Sequence, residues 1–225
     1  MMSLMITQGI DQLYRSAVEK MAKSADSDIE KLRRSLIKDP GSLGAPNPHG
    51  IAEASGRDAS WGSYAFDSLR SHGFIQSDLM RFKWFQPTSP YIEDEMAALA
   101  GIEATAIIRL ASLDCAAARA ELRKREKTFE QTARAGKPLA SSLAHQKLML
   151  SVVAATGEVH LLEEYAKRAT VALAYAQACR LDGDALKGMV RSAGSMIRTI
   201  CSMPPRDCAA AATAMRLHPR TPVEA

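Results

Sequence analysis

The side chains best able to do chemistry in this 225-residue chain are four cysteines and five histidines, and their spacing limits what they can do. Near the C-terminus, "TICSMPPRDCAAAATAMR" sets Cys201 and Cys208 on either side of a Pro-Pro pair. A zinc site needs four ligands, commonly as closely spaced pairs. The nearest histidine in sequence, His218, has no paired partner beside it, and no CxxC is present. Metal binding and dithiol redox chemistry are therefore not expected. A Cys201–Cys208 disulfide is compatible with the corner, since a tight turn can bring two Cα atoms within about 6 Å. Free thiols fit equally well, and the compartment decides between them. Cys115 and Cys179 stand alone on helical stretches and read as small buried hydrophobes.

The histidines His49, His72, His145, His160 and His218 show neither HxxxH nor HExxH spacing. His145 and His160 share a helical stretch but lie about four turns apart, too far to hold one ion. The carboxylate pairs Asp94-Glu95 and Glu163-Glu164 are adjacent in sequence, so they diverge on a helix. No ExxH pair, P-loop, GxGxxG, GxSxG or kinase signature occurs. No catalytic residue, cofactor or metal is expected on these grounds. An enzyme remains as the rival reading: a helical hydrolase or metal-dependent enzyme whose site is assembled only in three dimensions.

Aromatic residues are sparse, yet eight of the twelve lie between Trp61 and Tyr91. Such a cluster is either a satellite core beneath loops or a partner-binding patch. In the second case Trp61, Tyr64, Phe82, Trp84 and Phe85 are the contact residues, because exposed Trp and Tyr anchor interfaces. Charge offers a weaker signal. "ELRKREKTFEQ" interleaves Arg123, Lys124, Arg125 and Lys127 with Glu121, Glu126 and Glu130, which reads as a solvated helix face. The net charge of +4 falls short of the basic stripe that nucleic-acid binding wants. Protein partners, including further copies of the chain, are expected ahead of nucleic acid. A weak nucleic-acid-binding helical protein is the third reading, with steep salt dependence as its mark.

The elements that must position these residues are helices. Apolar residues make up 47% and charged residues 24%, the range of soluble globular chains. Alanine abounds, and it loses no side-chain entropy in a helix. The spacing predicts an all-α, elongated bundle in five parts. Residues 1–37 form an N-terminal helix that Asp26, Ser27 and Asp28 interrupt or restart. Residues 38–60, rich in Gly, Pro, Ser and Asn, form a flexible linker. Residues 61–90 form an aromatic-rich cap or appendage, and residues 218–225 a disordered tail. Residues 91–217 form the bundle, built on a hairpin of two long helices at 91–135 and 138–181. Gly136 and Pro138 turn the corner between them. A further helix at 184–203 stops at Pro204-Pro205. No run is apolar enough to span a membrane, and "MMSLMITQGIDQLYR" lacks the parts of a signal peptide, which points to the cytoplasm.

The stretch "AAARAELRKREKTFEQTARAGKPLASSLAHQKLMLSVVAATGEVHLLEEYAKRATVALAYAQA" resembles a helical hairpin of the minor pilus-tip subunits of bacterial type IV secretion and conjugation systems. The pattern is a charged descending helix, a short turn of small residues and a helix of the form LAxxxAxQKLML. That resemblance implies a non-enzymatic assembly or target-contact component, with 38–91 as its appendage. It also implies a periplasmic or cell-surface location, where a Cys201–Cys208 bridge would form. It carries no site residue onto this chain.

Overall fold

Capping residues decide where this alanine-rich chain stops being one continuous rod. The computed structural model describes residues 2–21, 26–78, 81–111 and 116–202. Asp26 adopts an extended backbone and accepts the amide N–H groups of Asp28 at 2.8 Å and Ile29 at 3.3 Å. The N-terminal stretch, for which Asp26, Ser27 and Asp28 were the expected interruption or restart, contains two helices, α1 (Met2–Lys20) and α2 (Ser27–Lys38). The order continues as α3 (Pro48–Ala54), α4 (Ala59–Ser71), β1 (Ile75–Asp78), β2 (Arg81–Trp84) and α5 (Ser89–Ala111). It closes with α6 (Ala116–Arg134), α7 (Pro138–Ala154), α8 (Val159–Arg168), α9 (Val171–Ala178) and α10 (Gly183–Ser202). The chain is all-α, and among the described residues its one small sheet is the antiparallel pair β1 and β2, in the register Ile75↔Trp84 to Asp78↔Arg81.

The α6–α7 turn forms where the spacing places it. Gly136 takes φ +62°, a left-handed value that costs an L side chain strain, and Pro138 opens α7. The long helices themselves are shorter than expected. The stretch 138–181 is three helices. Thr156 Oγ1 and Gly157, at φ +75°, terminate the first, and Thr170 caps the third by accepting Leu173 N–H at 3.2 Å. The apolar periodicity runs through both breaks, so only the Gly and Thr mark them. The stretch 91–135 is divided into α5 and α6, which flank residues outside the description. The segment 38–60 differs most. Asn47 accepts Gly50 N–H at 2.7 Å and starts α3 within the expected linker, where Ile51 and Ala52 are buried.

Helix α7 is the axis of the bundle. It packs against α1, α5, α6, α8 and α9, so Leu148, Met149, Leu150, Val152 and Val153 are all buried. The apolar core continues from the bundle into α2, α4 and the hairpin without a break. Among the described residues, no helix is long and apolar enough to cross a membrane. Cys208, the last Ala-rich stretch and the tail at 218–225 lie outside the described residues, as does Cys115.

Candidate nucleic-acid interface

Helices α3 and α4 are joined by only four residues, Ser55, Gly56, Arg57 and Asp58. Gly56 reverses the chain at φ +61°. Asp58 then caps α4 by accepting Trp61 N–H at 2.8 Å. The two helices cross closely at Gly62. A Cβ built there would stand 2.4 Å from the Pro48 carbonyl oxygen and 2.7 Å from the Ala52 Cβ, inside any real contact. Glycine is required by that approach. Ala65, Phe66 and Leu69 bury the inner side of α4, with α2 packed alongside. Two short helices, a tight turn with Gly and a third helix as support make a helix-turn-helix unit.

The hairpin follows α4 directly. Phe74 N–H bonds back to Leu69 O at 2.9 Å, and Phe85 N–H to Phe74 O at 2.8 Å, which pins β1 and β2 to the end of α4. Phe66 meets Phe82 edge-on at 5.1 Å. The hairpin is thus a wing beside α4. The outward side of α4 carries Ser60, Ser63, Tyr64, Asp67 and Arg70, all exposed, and the wing adds Arg81, Phe82 and Lys83. A helix presented in this way can enter the major groove of DNA, with a β-ribbon against the adjoining backbone.

Electrostatics at this face are local. Residues 26–85 hold eight Lys/Arg and eight Asp/Glu, so the unit has no net charge. Several carboxylates are engaged structurally. Asp26 caps α2 and accepts Trp61 Nε1–H at 2.8 Å, which holds its carboxyl below the usual range. Asp58 is likewise held down by hydrogen bonds from Ser60 and the Trp61 amide. Arg57 lies over the Trp61 ring at 5.6 Å.

A buried polar joint links this unit to the bundle. Arg33 on α2 is wholly buried, with Nη1 2.7 Å from Glu30 and Nη2 3.0 Å from His72 Nδ1. Tyr175 of α9 donates its hydroxyl to the other oxygen of Glu30 and packs edge-on against Phe74 at 5.4 Å. Ala172 N–H bonds to His72 O at 3.0 Å. Burial, and then the Arg33 cation, push the His72 pKa below its ordinary value. Burial and the Glu30 carboxylate push that of Tyr175 up.

The expected site residues separate by burial. Tyr64 is 56% exposed and Phe82 41%, while Trp61 is half-buried. Trp84 and Phe85 are core residues at 5% and 4% exposure, contrary to the expected surface patch. Trp84 Nε1–H also donates to Gly44 O at 2.6 Å. Cys201 is a buried free thiol on α10, with Sγ 3.8 Å from Arg119 O. Sequence reading missed Ser63, Asp67 and the wing cations. The signal that could have found them is the N-capped pair "NPHGIAEASGRDASWGSYAFDSL", with Gly at the turn and Gly where two helices cross.

The fold therefore defines a winged helix-turn-helix unit joined to an all-helical bundle. No family model matches the sequence, and no curated protein matches it. Solved structures do share the fold. One, whose title reads "Lar controls the expression of the Listeria monocytogenes agr system and mediates virulence", matches at TM-score 0.63 and 12% identity over 87% of this chain and 95% of that one. E. coli McbR/YncC matches at TM-score 0.54 and 12% identity, over 84% and 91%. Streptococcus agalactiae GntR is more distant, at 0.45 and 13% over 84% and 95%. The first of these titles names control of gene expression, and neither of the first two neighbours is a pilus-tip subunit. The resemblance to secretion and conjugation components is overturned: the charged hairpin it rested on is the α6–α7 turn of a bundle shared with these neighbours.

Proposed function

We propose that this chain is a DNA-binding transcriptional regulator. Residues 26–85 read the DNA, and the bundle from α5 to α10 carries and orients them. The observation that carries this reading is the close crossing of α3 and α4 at Gly62, followed by the wing, which leaves one polar helix side facing outward. The structural neighbour titled as controlling expression of the agr system supports it. The expectation that nucleic acid is not the partner came from a net charge of only +4 without a basic stripe. That balance describes affinity for phosphates and says nothing of shape.

In this reading Ser60, Ser63, Tyr64 and Asp67 meet base edges. Tyr64 offers an apolar surface to a thymine methyl and Asp67 an acceptor to a cytosine amino group. Arg81 and Lys83 of the wing meet phosphates. Selection of bound sequences from a random duplex library tests this. A defined motif is expected. The Tyr64→Ala/Asp67→Ala variant should lose the motif while keeping the wild-type melting curve. If the full chain enriches no motif, or the variant enriches the same one, the proposal is wrong.

A further inference from the structure

A carboxylate ties the amino end of α4 to the start of α2. Asp26 Oδ1 caps α2 by accepting the Asp28 and Ile29 amides at 2.8 and 3.3 Å. The other oxygen, Oδ2, accepts the indole Nε1–H of Trp61 at 2.8 Å, 35 residues along the chain. Trp61 stands in the first turn of α4, directly before the close crossing at Gly62. Arg57, in the turn that precedes α4, lies over the same ring at 5.6 Å and comes within 3.9 Å of Asp28.

A cap alone does not call for a carboxylate at this position. Asn and Ser cap a helix about as well as Asp does, and neither repels a phosphate. Asp adds a second acceptor oxygen, so one side chain meets both the amides of α2 and an indole N–H. Its charge makes both bonds stronger than neutral ones. The Trp61 bond is the foremost influence holding the Asp26 carboxyl below its usual range.

The two ends of α4 are held differently. At the carboxyl end, backbone bonds from Phe74 N–H to Leu69 O and from Ala172 N–H to His72 O fix the helix. At the amino end, Gly62 fixes how near α4 comes to α3. A contact without a side chain sets distance and leaves the roll of that turn to other groups. Trp61, bonded to Asp26, opposes the roll. Side chains that recognise a ligand must be held to within about 10–20° of their working geometry. Ser60, Ser63 and Tyr64, all exposed, lie within three positions of Trp61.

We propose that Asp26 and Trp61 are a positioning pair for sequence reading. Their bond sets the roll of the first turn of α4, and with it the aim of Ser60, Ser63 and Tyr64 at base edges. Neither residue needs to touch DNA. The inference rests on the proposed DNA-binding role of residues 26–85, and it assigns sequence discrimination to two residues behind the reading surface.

Two conservative variants of the full chain test it. Asp26→Asn keeps an oxygen for the α2 amides and turns an amide N–H toward the indole, donor against donor. Trp61→Phe keeps a ring beneath Arg57 and removes the N–H. Each is taken through selection from a random duplex library, and its affinities for the wild-type motif and for a scrambled duplex are measured. Each should lower the ratio of those affinities by about tenfold, comparable to the loss of one good base contact. Scrambled-duplex binding and its salt slope should stay as in the wild type. Information should be lost at the bases that Tyr64→Ala relaxes, and kept at those that Asp67→Ala relaxes. The double variant should be no worse than either single one, because both remove the same bond. An unchanged affinity ratio in both variants overturns the proposal. So does an equal loss on motif and scrambled duplexes, which would make the bond an ordinary support of the fold, and so do effects that multiply in the double variant. A wild-type chain that enriches no motif is a separate failure, which removes the DNA-binding role and this inference with it.

Discussion

Gly62 and Tyr64 are two positions apart on α4 and do opposite work. At Gly62, any side chain meets the Pro48 carbonyl at 2.4 Å, which is backbone and cannot swing away. Gly62→Ala is expected to push α3 off α4 and lower stability by about 1–3 kcal/mol, the usual cost of overpacking. A thermal melt checks it, and an unchanged midpoint would contradict the close crossing. Tyr64 is mostly exposed, so Tyr64→Ala should move the melt by no more than ~0.5 kcal/mol. Trp84→Ala removes a side chain that is 5% exposed and whose indole N–H is bonded to Gly44 O. Its expected cost is about 3–5 kcal/mol, as for other buried Trp truncations. Chemical denaturation of the two variants side by side separates them. From sequence alone these aromatics form one cluster, because composition records type and not direction. Their separation depends on which side of α4 faces α2 and on the Trp84 indole reaching Gly44, 40 residues earlier in the chain.

At the scale of elements, the joint between α2, α4 and α9 controls how the helix-turn-helix unit sits on the bundle. Arg33 is a buried cation whose charge is met by Glu30 alone among the described carboxylates. Glu30→Gln removes that charge and should cost stability approaching ~3 kcal/mol, because the guanidinium stays buried without its counter-ion. His72 adds a pH dependence with a definite sign. Its folded-state pKa lies below the unfolded value of 6.5, so the unfolded chain binds the extra proton more readily. The group's contribution is complete above 6.5 and is lost as the pH falls through and below that value. Protonation would also fix Nδ1, which lies 3.0 Å from an Arg33 amino group and beside Ser68 O, as a donor next to a cation. Melting temperature should therefore fall as the pH drops from about 7.5 to about 5.5, and His72→Asn should flatten that fall. None of this was legible beforehand. "RRSLIK" reads as an ordinary amphipathic turn, and a lone His near a helix end reads as surface. What was legible were the local signals: Asp26 as a cap, Gly136 with Pro138 as a corner and an all-α class from alanine content. The breaks at Gly157 and Thr170 were hidden because apolar periodicity continues across them.

The whole molecule joins a charge-neutral helix-turn-helix unit to a bundle, and under the proposed function that neutrality shapes how it should bind DNA. Affinity driven by phosphate contacts falls with a slope of about −0.9 in log salt for each phosphate neutralised. Among the outward cations of the unit, Arg57, Arg70 and Lys83 each have a carboxylate within 3.9, 3.4 and 2.6 Å. Each must leave that partner before it can serve a phosphate, which reduces its net gain. Arg81 on the wing has no such competitor among the described residues and is exposed. The expected behaviour is a shallow slope, corresponding to fewer than about four phosphates, with specificity resting on shape and base contacts. Arg81→Gln should weaken binding to all sequences equally and reduce the slope by about 1. Tyr64→Ala should leave the slope alone and change which sequences bind. Fluorescence anisotropy across a salt series, with a selected site and a scrambled one, distinguishes these two behaviours. If Tyr64→Ala alters the slope and Arg81→Gln the sequence preference, the helix and the wing have been assigned to the wrong parts of the duplex.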